Sequence, residues 1–167
     1  YNTNGLPYSV RKQGAGLASL MNSIKTPAYI ITYDKDGNAM DKTKLELGDD
    51  AEKTGVYEMS FDVKNFGDKA VSYDIGYYVF TEGVSETKTN AGETTVTEEA
   101  YLLDGAKFEI VSAEGGALSG KNITVDAGKT AKVTVKITLG DADKKYLDES
   151  FENGMYVEGF LTFDNIE

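Results

Sequence analysis

The chain has 167 residues, with 28 acidic and 17 basic side chains and with neither histidine nor cysteine. These absences from the sequence exclude a Ser-His-Asp or Cys-His catalytic arrangement, a disulfide and a thiolate-bound zinc within the chain. The formal net charge of −11 at pH 7 disfavours nucleic acid as a partner, because like charges repel. No apolar run approaches the ~18 residues that a spanning helix needs, so we expect no membrane insertion.

The first 27 residues predict a short amphipathic helix. Its apolar residues follow the spacing i, i+3, i+4, i+7 that places them on one helix face, and they are Leu17, Leu20, Met21 and Ile24. Pro27 ends the helix, because the residue before a proline is driven out of the helical region. So short a helix is not stable alone in water, and we expect this apolar face to pack against another domain.

From Ala28 onward the sequence predicts β-strands, because apolar and polar residues alternate. The longest unbroken alternation covers residues 130–139, and residues 56–64 show a second one. Shorter alternating runs occupy residues 73–79, 108–110, 123–125 and 157–163. Glycine and asparagine in the short connections are typical of turns. This pattern predicts an all-β fold, an antiparallel two-sheet sandwich preceded by a short N-terminal helix.

Two segments depart from the alternation. Residues 83–99, rich in threonine, glutamate and glycine, predict either a hairpin extension or a long loop. Residues 141–151 predict a short helix, with Asp141 as its N-cap and with Tyr146, Leu147 and Phe151 packing inward.

One turn is a candidate calcium site. Asp34, Asp36 and Asn38 offer the oxygen ligands that hard cations prefer. The spacing differs from an EF-hand loop, because Gly37 is the fourth residue and no late glutamate follows in place. An ordinary solvated hairpin turn is therefore the favoured interpretation, and we expect no metal and no cofactor.

Exposed aromatic residues are candidates for surface contacts. Tyr73 and Tyr77 share the inward parity of their strand, whereas Tyr78 and Phe80 lie on the opposite parity. We therefore predict Tyr78 and Phe80 as contact residues, although tyrosine is also an ordinary strand residue.

Several stretches together resemble one protein family. Residues 8–17 (YSVRKQGAGL) and the helix after them resemble the segment that closes the catalytic domain of subtilisin-like serine proteases. Residues 156–163 (YVEGFLTF) resemble the late strand of the fibronectin type III-like domain in Gram-positive cell-envelope subtilases of the lactocepin-like group. Residues 63–70 (VKNFGDKA) and 141–154 are similar to further parts of that domain.

The resemblance implies a domain organisation and a role. Residues 1–26 would be the tail of an upstream protease domain, and residues 27–167 a fibronectin type III-like sandwich. No segment resembles the one that carries the nucleophilic serine, so no catalytic residue is carried over to this chain. The implied role is that of a non-catalytic accessory domain of a secreted or cell-wall-associated endopeptidase, which braces the protease domain and contributes to recognition of a protein substrate.

A hypothesis of another class stays open at this point. The chain could be a free-standing cell-surface adhesion module that binds a glycan or a host protein, with Tyr78 and Phe80 among the contacts. Titration of Tyr78→Ala with cell-wall glycans separates the two hypotheses.

Overall fold

The computed structural model describes residues 5–12 and 20–166. These residues form two helices and nine strands. The helices are α1 (Leu20–Lys25) and α2 (Asp141–Ser150). The strands are β1 (Ala28–Ile31), β2 (Val56–Asn65), β3 (Val71–Lys88), β4 (Thr94–Leu102), β5 (Lys107–Glu114), β6 (Ala117–Ser119), β7 (Asn122–Val125), β8 (Thr130–Thr138) and β9 (Glu158–Asn165).

The strands pair into two sheets. One sheet has the order β1-β2-β8-β5, and the other has the order β4-β3-β7-β6, with β9 also paired to β3. The registers are antiparallel, for example Val63 opposite Ala131 and Val71 opposite Val125. The predicted all-β antiparallel two-sheet sandwich is confirmed. No helix among the residues described here is long and apolar enough to cross a membrane.

The described residues pack as two compact units. The first, called the sandwich unit, contains residues 20–76, 107–138 and 161–166. The second, called the hairpin unit, contains residues 5–12, 77–106 and 139–160.

The core of the sandwich unit follows the alternation of β2 and β8. Phe61 and Val63 of β2 and their partners in β8 are buried, whereas the residues between them are more exposed. Phe163 of β9 lies edge-on to two rings, with centroids 5.7 Å from Phe61 and 6.1 Å from Tyr73. Burying each such side chain stabilises the fold by about 1.5–3 kcal/mol, and aromatic pairs add to this.

A fully buried asparagine organises the turn after β2. The two N–H groups on Nδ2 of Asn65 are shared among three carbonyl oxygens, those of Lys69 (2.7 Å), Val125 (3.0 Å) and Asp126 (3.2 Å). Its Oδ1 accepts the N–H of Gly67 at 2.8 Å. The side chain thus joins its own turn to the end of β7, which the sequence pattern did not predict.

The hairpin unit contains the pairing of β3 with β4, which runs from Phe80 opposite Leu102 to Lys88 opposite Thr94. Of the two predictions for residues 83–99, the hairpin is therefore confirmed and the long loop is wrong. Gly159 of β9 lies close to the backbone of β3, since a Cβ there would overlap the carbonyl oxygen of Tyr78.

The predicted second helix is present as α2, but its cap differs from the prediction. The N-cap residue is Gly140, and Asp141 is the first residue of the helix. The capping carboxylate belongs to Asp143, whose Oδ2 accepts the Gly140 N–H at 3.0 Å and whose Oδ1 accepts the Gly105 N–H at 3.3 Å. Asp141 is predicted as the N-cap because it is the first acidic residue of the pattern. The carboxylate that accepts the N–H of the true N-cap residue belongs to Asp143, two residues later.

Candidate functional site

The most extensive polar site in the hairpin unit holds the segment 5–12 through Arg11, the single arginine of the sequence. Its Nε and Nη2 donate to Oε1 of Glu158 at 3.1 and 3.0 Å, and Nη2 also donates to Oε1 of Glu82 at 2.6 Å. The guanidinium lies over the ring of Tyr156, 4.1 Å from its centroid. A planar guanidinium suits such combined carboxylate and aromatic contacts better than an ammonium does.

Two neighbours of Arg11 complete this site, which we call the Arg11 clamp. The hydroxyl of Ser9 lies 2.8 and 2.9 Å from the two carboxylate oxygens of Glu158, whose side chain is only 6% exposed. Lys12 pairs with Glu82 at 3.4 Å and also with Glu98. The nearly buried carboxylate of Glu158 is thereby compensated by both a hydroxyl and a cation, as a buried charge requires.

The charges of the clamp support one another. Burial alone would raise the pKa of Glu82, but the hydrogen bonds and charges of Arg11 and Lys12 outweigh it and lower this pKa. Burial likewise opposes the charge of Arg11, and its bonds to Glu158 and Glu82 raise its pKa above the usual value. Glu82, Arg11 and Lys12 are therefore all charged at neutral pH.

The β3–β4 register places the acceptors of the clamp. Glu82 and Val84 lie on one face of β3, and Glu98 is opposite Val84, so both carboxylates face the same side of the hairpin. Glu158 stands at the start of β9, and the hydroxyl of Thr81 donates to the carbonyl oxygen of Tyr156 at 2.8 Å just before it.

The opposite face of the hairpin carries α2. The rings of Tyr101 and Tyr146 are stacked, with centroids 3.6 Å apart and an interplanar angle of 6°. Phe151 meets Tyr146 edge-on at 5.9 Å, so the predicted inward packing of both residues is confirmed.

Both faces at the base of the hairpin are therefore covered, and one of the two predicted contact residues, Phe80, is buried as a result. Phe80 is 1% exposed, so the prediction that it meets solvent is wrong. It stacks on Phe160 at 5.9 Å, and with Tyr8 it lines a cleft of about 170 Å³ beside the clamp. Tyr78 is 47% exposed, and its contact role stays a prediction.

Comparison with known proteins identifies the family to which this fold belongs. Residues 45–167 match the family model described as "Fn3-like domain". The chain belongs to the Fn3-like domain family.

The similarity also extends to residues before the Fn3-like match. The chain is 29% identical over 168 aligned residues to the PI-type proteinase of Lactococcus lactis subsp. cremoris, an alignment that covers 97% of the chain. It is 28% identical, with the same coverage, to the PII-type proteinase of Lacticaseibacillus paracasei. The chain spans about 7% of the length of these relatives.

The helix before the Fn3-like domain exposes its predicted apolar face. Ile24 of α1 is 70% exposed, and Leu20 and Met21 are exposed to a similar extent. Leu17, the fourth residue of the predicted stripe, lies outside the described residues. Packing of this face on another domain stays a prediction.

The candidate calcium turn of the Fn3-like domain uses its first carboxylate internally. Asp34 Oδ1 accepts the backbone N–H groups of Asp36 at 2.9 Å and Asn38 at 2.8 Å, and the Asn38 amide donates to Oδ2 at 3.0 Å. Hydrogen bonds from Asn38 are the main cause that lowers the pKa of Asp34. Within the described ranges no group of three or more acidic side chains is arranged to hold a metal ion. The choice of an ordinary turn over the calcium site stays a prediction, to be tested by melting with calcium and with a chelator.

The buried hydroxyl of Tyr57 is expected to make the free energy of unfolding of the Fn3-like domain fall at alkaline pH. Burial, with the charge of Asp50 and a hydrogen bond to it, raises the Tyr57 pKa from 10.0 to about 12. The native state thus holds this proton more tightly than the unfolded chain does. The stabilisation that comes from this pKa difference is complete below pH 10 and is lost as the pH rises toward about 12. Urea unfolding across this window should show a steeper loss of stability in the parent chain than in Tyr57→Phe, and equal slopes would contradict the expectation.

Proposed function

We propose that this Fn3-like domain is a non-catalytic accessory domain of a subtilisin-like serine endopeptidase that is secreted or attached to the cell wall. In this proposal residues 1–26 end the preceding protease domain, and residues 27–167 form the accessory domain. The alignment with the PI-type proteinase supports the proposal, because it covers 97% of the chain although the family model begins only at residue 45.

The Arg11 clamp is the observation that carries the bracing role. It holds residues 9–12 on three carboxylates of the hairpin unit, so the incoming chain is fixed where it meets the Fn3-like domain. In a longer polypeptide, a fixed entry segment restricts the orientations that the preceding domain can adopt.

The exposed face of α1 supplies the second part of the brace. Leu20, Met21 and Ile24 would be buried against the preceding domain, each contributing on the order of 1–2 kcal/mol. Loops of the accessory domain would then contact the protein substrate away from the reacting bond, and such remote contacts help to orient it.

The brace is tested in the full-length proteinase that carries this domain. Ile24→Ser should shorten the half-life of activity at elevated temperature, because the protease domain loses a packing contact. Val84→Ser is the matched control, since Val84 is also 70% exposed but lies on the hairpin. Equal half-lives of the two variants would contradict the bracing role.

Substrate recognition calls for a separate measurement. Deleting residues 27–167 from the proteinase should lower kcat/KM for a folded protein substrate more than for a short peptide, because only the larger substrate reaches remote contacts. The chain alone should cleave neither substrate, and proteolysis by it would end the proposal.

Arg11→Ala should loosen the entry segment. We expect a loss of about 1–2 kcal/mol, toward the lower end of the range for charged hydrogen bonds because the guanidinium is partly in water. Hydrogen exchange of the amides of residues 9–12 measures the loosening. Lys12→Ala should have a smaller effect, because Glu98 is half exposed. A larger effect of Lys12→Ala than of Arg11→Ala would show that the ion pairs of Lys12, and not those of Arg11, hold the segment.

A further inference from the structure

Two aromatic side chains are exposed together on the sandwich unit. Tyr29 of β1 is 47% exposed and Phe66, just after β2, is 58% exposed. Their ring centroids are 5.9 Å apart, with an interplanar angle of 39°. Because neither ring belongs to the buried core, the pair is not explained by the packing of the sandwich itself.

The backbone holds this pair in place. The Phe66 N–H donates to the carbonyl oxygen of Pro27 at 2.9 Å, and Ala28 is opposite Asn65 in the β1–β2 register. Phe66 follows Asn65, which is anchored by four side-chain hydrogen bonds. An aromatic ring with two χ angles on a fixed backbone loses little conformational entropy on binding, which suits a contact residue.

The pair lies near α1 along the chain. Tyr29 follows Ile24 by five positions, and a chain of that length spans at most ~18 Å. The exposed apolar residues of α1 and the aromatic pair therefore flank the same point, where the chain enters the sandwich.

We propose that Tyr29 and Phe66 form part of the surface on which the preceding domain of the same polypeptide packs. This inference rests on the proposed function and extends its interface from α1 to the sandwich itself. The occupant would present a complementary apolar patch, because the two rings offer hydrophobic area with one phenolic hydroxyl. The proteinase relatives support this occupant, since almost all of the chain aligns within their much longer sequences.

A second copy of the chain is a poorer occupant. Each copy carries a formal net charge of −11, so association of two copies meets electrostatic repulsion. The preceding domain, being covalently joined, is instead present at a high effective concentration.

The test uses the full-length proteinase with Tyr29→Ser and Phe66→Ser combined. We expect the half-life of activity at elevated temperature to fall by about tenfold and hydrogen exchange to increase on the facing surface of the preceding domain. Val96→Ser is the matched control, because Val96 is 59% exposed, much like Phe66, but lies on β4 of the hairpin. Phe66→Tyr keeps an aromatic ring and should retain most of the half-life, which guards against a folding defect.

The outcomes separate this inference from the proposed function. If Ile24→Ser shortens the half-life and the double variant does not, the aromatic inference is wrong and the bracing role stands. If neither variant has an effect, both are wrong. An equal loss in Val96→Ser also overturns the inference. So does a double variant that keeps the half-life of activity but loses self-association or glycan binding, because the rings would then serve another partner.

Discussion

Replacing Asn65 with alanine is expected to destabilise the sandwich unit by about 3–5 kcal/mol, one of the two largest single-residue effects that we predict. The substitution removes four hydrogen bonds from a fully buried side chain. Three carbonyl oxygens and the Gly67 N–H then lose their side-chain partner, and a buried polar group without a partner costs more than a hydrogen bond contributes.

Urea unfolding of the parent chain and of Asn65→Ala measures this loss. Asn153→Ala is the control, because Asn153 lies in an exposed turn and its replacement should change stability by no more than about 0.5 kcal/mol. Asn65→Asp keeps the acceptor for Gly67 but loses the three donated bonds, so it should remain strongly destabilised. A loss below about 1 kcal/mol in Asn65→Ala would mean that water replaces the lost bonds.

The strands could be predicted from the sequence because alternation records burial directly. In β2 the alternation of residues 56–64 places Phe61 and Val63 on the buried face, and the polar residue after each of them is more exposed. The same rule failed at Phe80, where residues 8–12 and Phe160 cover the face that a two-sided strand exposes. Periodicity within one strand says nothing about a distant segment that packs over it.

The Arg11 clamp was missed for a related reason. Its partners Glu82 and Glu158 are separated from Arg11 by 71 and 147 positions, and an acidic chain offers many equally plausible carboxylates. The one available signal was that the sequence contains a single arginine, directly followed by a lysine. Composition can mark such a residue as unusual, but only the fold shows which acids it meets.

The clamp and the aromatic pair would contribute to the proposed brace through different interactions. Arg11 restrains the incoming segment by charged hydrogen bonds within the hairpin unit, so its effect should weaken with added salt. Tyr29 and Phe66 offer apolar area on the sandwich unit, and salt leaves that contribution largely intact. The half-life of activity should be measured at low and high salt for Arg11→Ala and for the Tyr29→Ser/Phe66→Ser double variant. A loss that depends on salt indicates a restrained linker, and a loss that does not indicates a packed domain contact.

Replacing Asp143 with alanine is expected to cost about 2–4 kcal/mol, because one carboxylate both caps α2 and anchors a loop. Its two oxygens accept the N–H groups of Gly140 and Gly105, and the residue is almost fully buried. Without the carboxylate, the first turn of α2 loses its cap and the loop before β5 loses its attachment. The stack of Tyr101 on Tyr146 of α2 should loosen as a consequence, which near-ultraviolet circular dichroism would report.

Asp141→Ala is the matched control, because Asp141 is an exposed acid in the same helical turn. It contributes through the helix dipole and through an exposed ion pair with Lys144 at 3.5 Å. Its replacement should therefore cost about 0.3–1 kcal/mol and should lose that effect in high salt. Asp143→Asn keeps one acceptor oxygen and should fall between the two. If Asp141→Ala proved the more damaging of the two alanine variants, the cap would belong to Asp141, as the sequence first indicated, and the attachment of α2 to the Gly105 loop would be unimportant for stability.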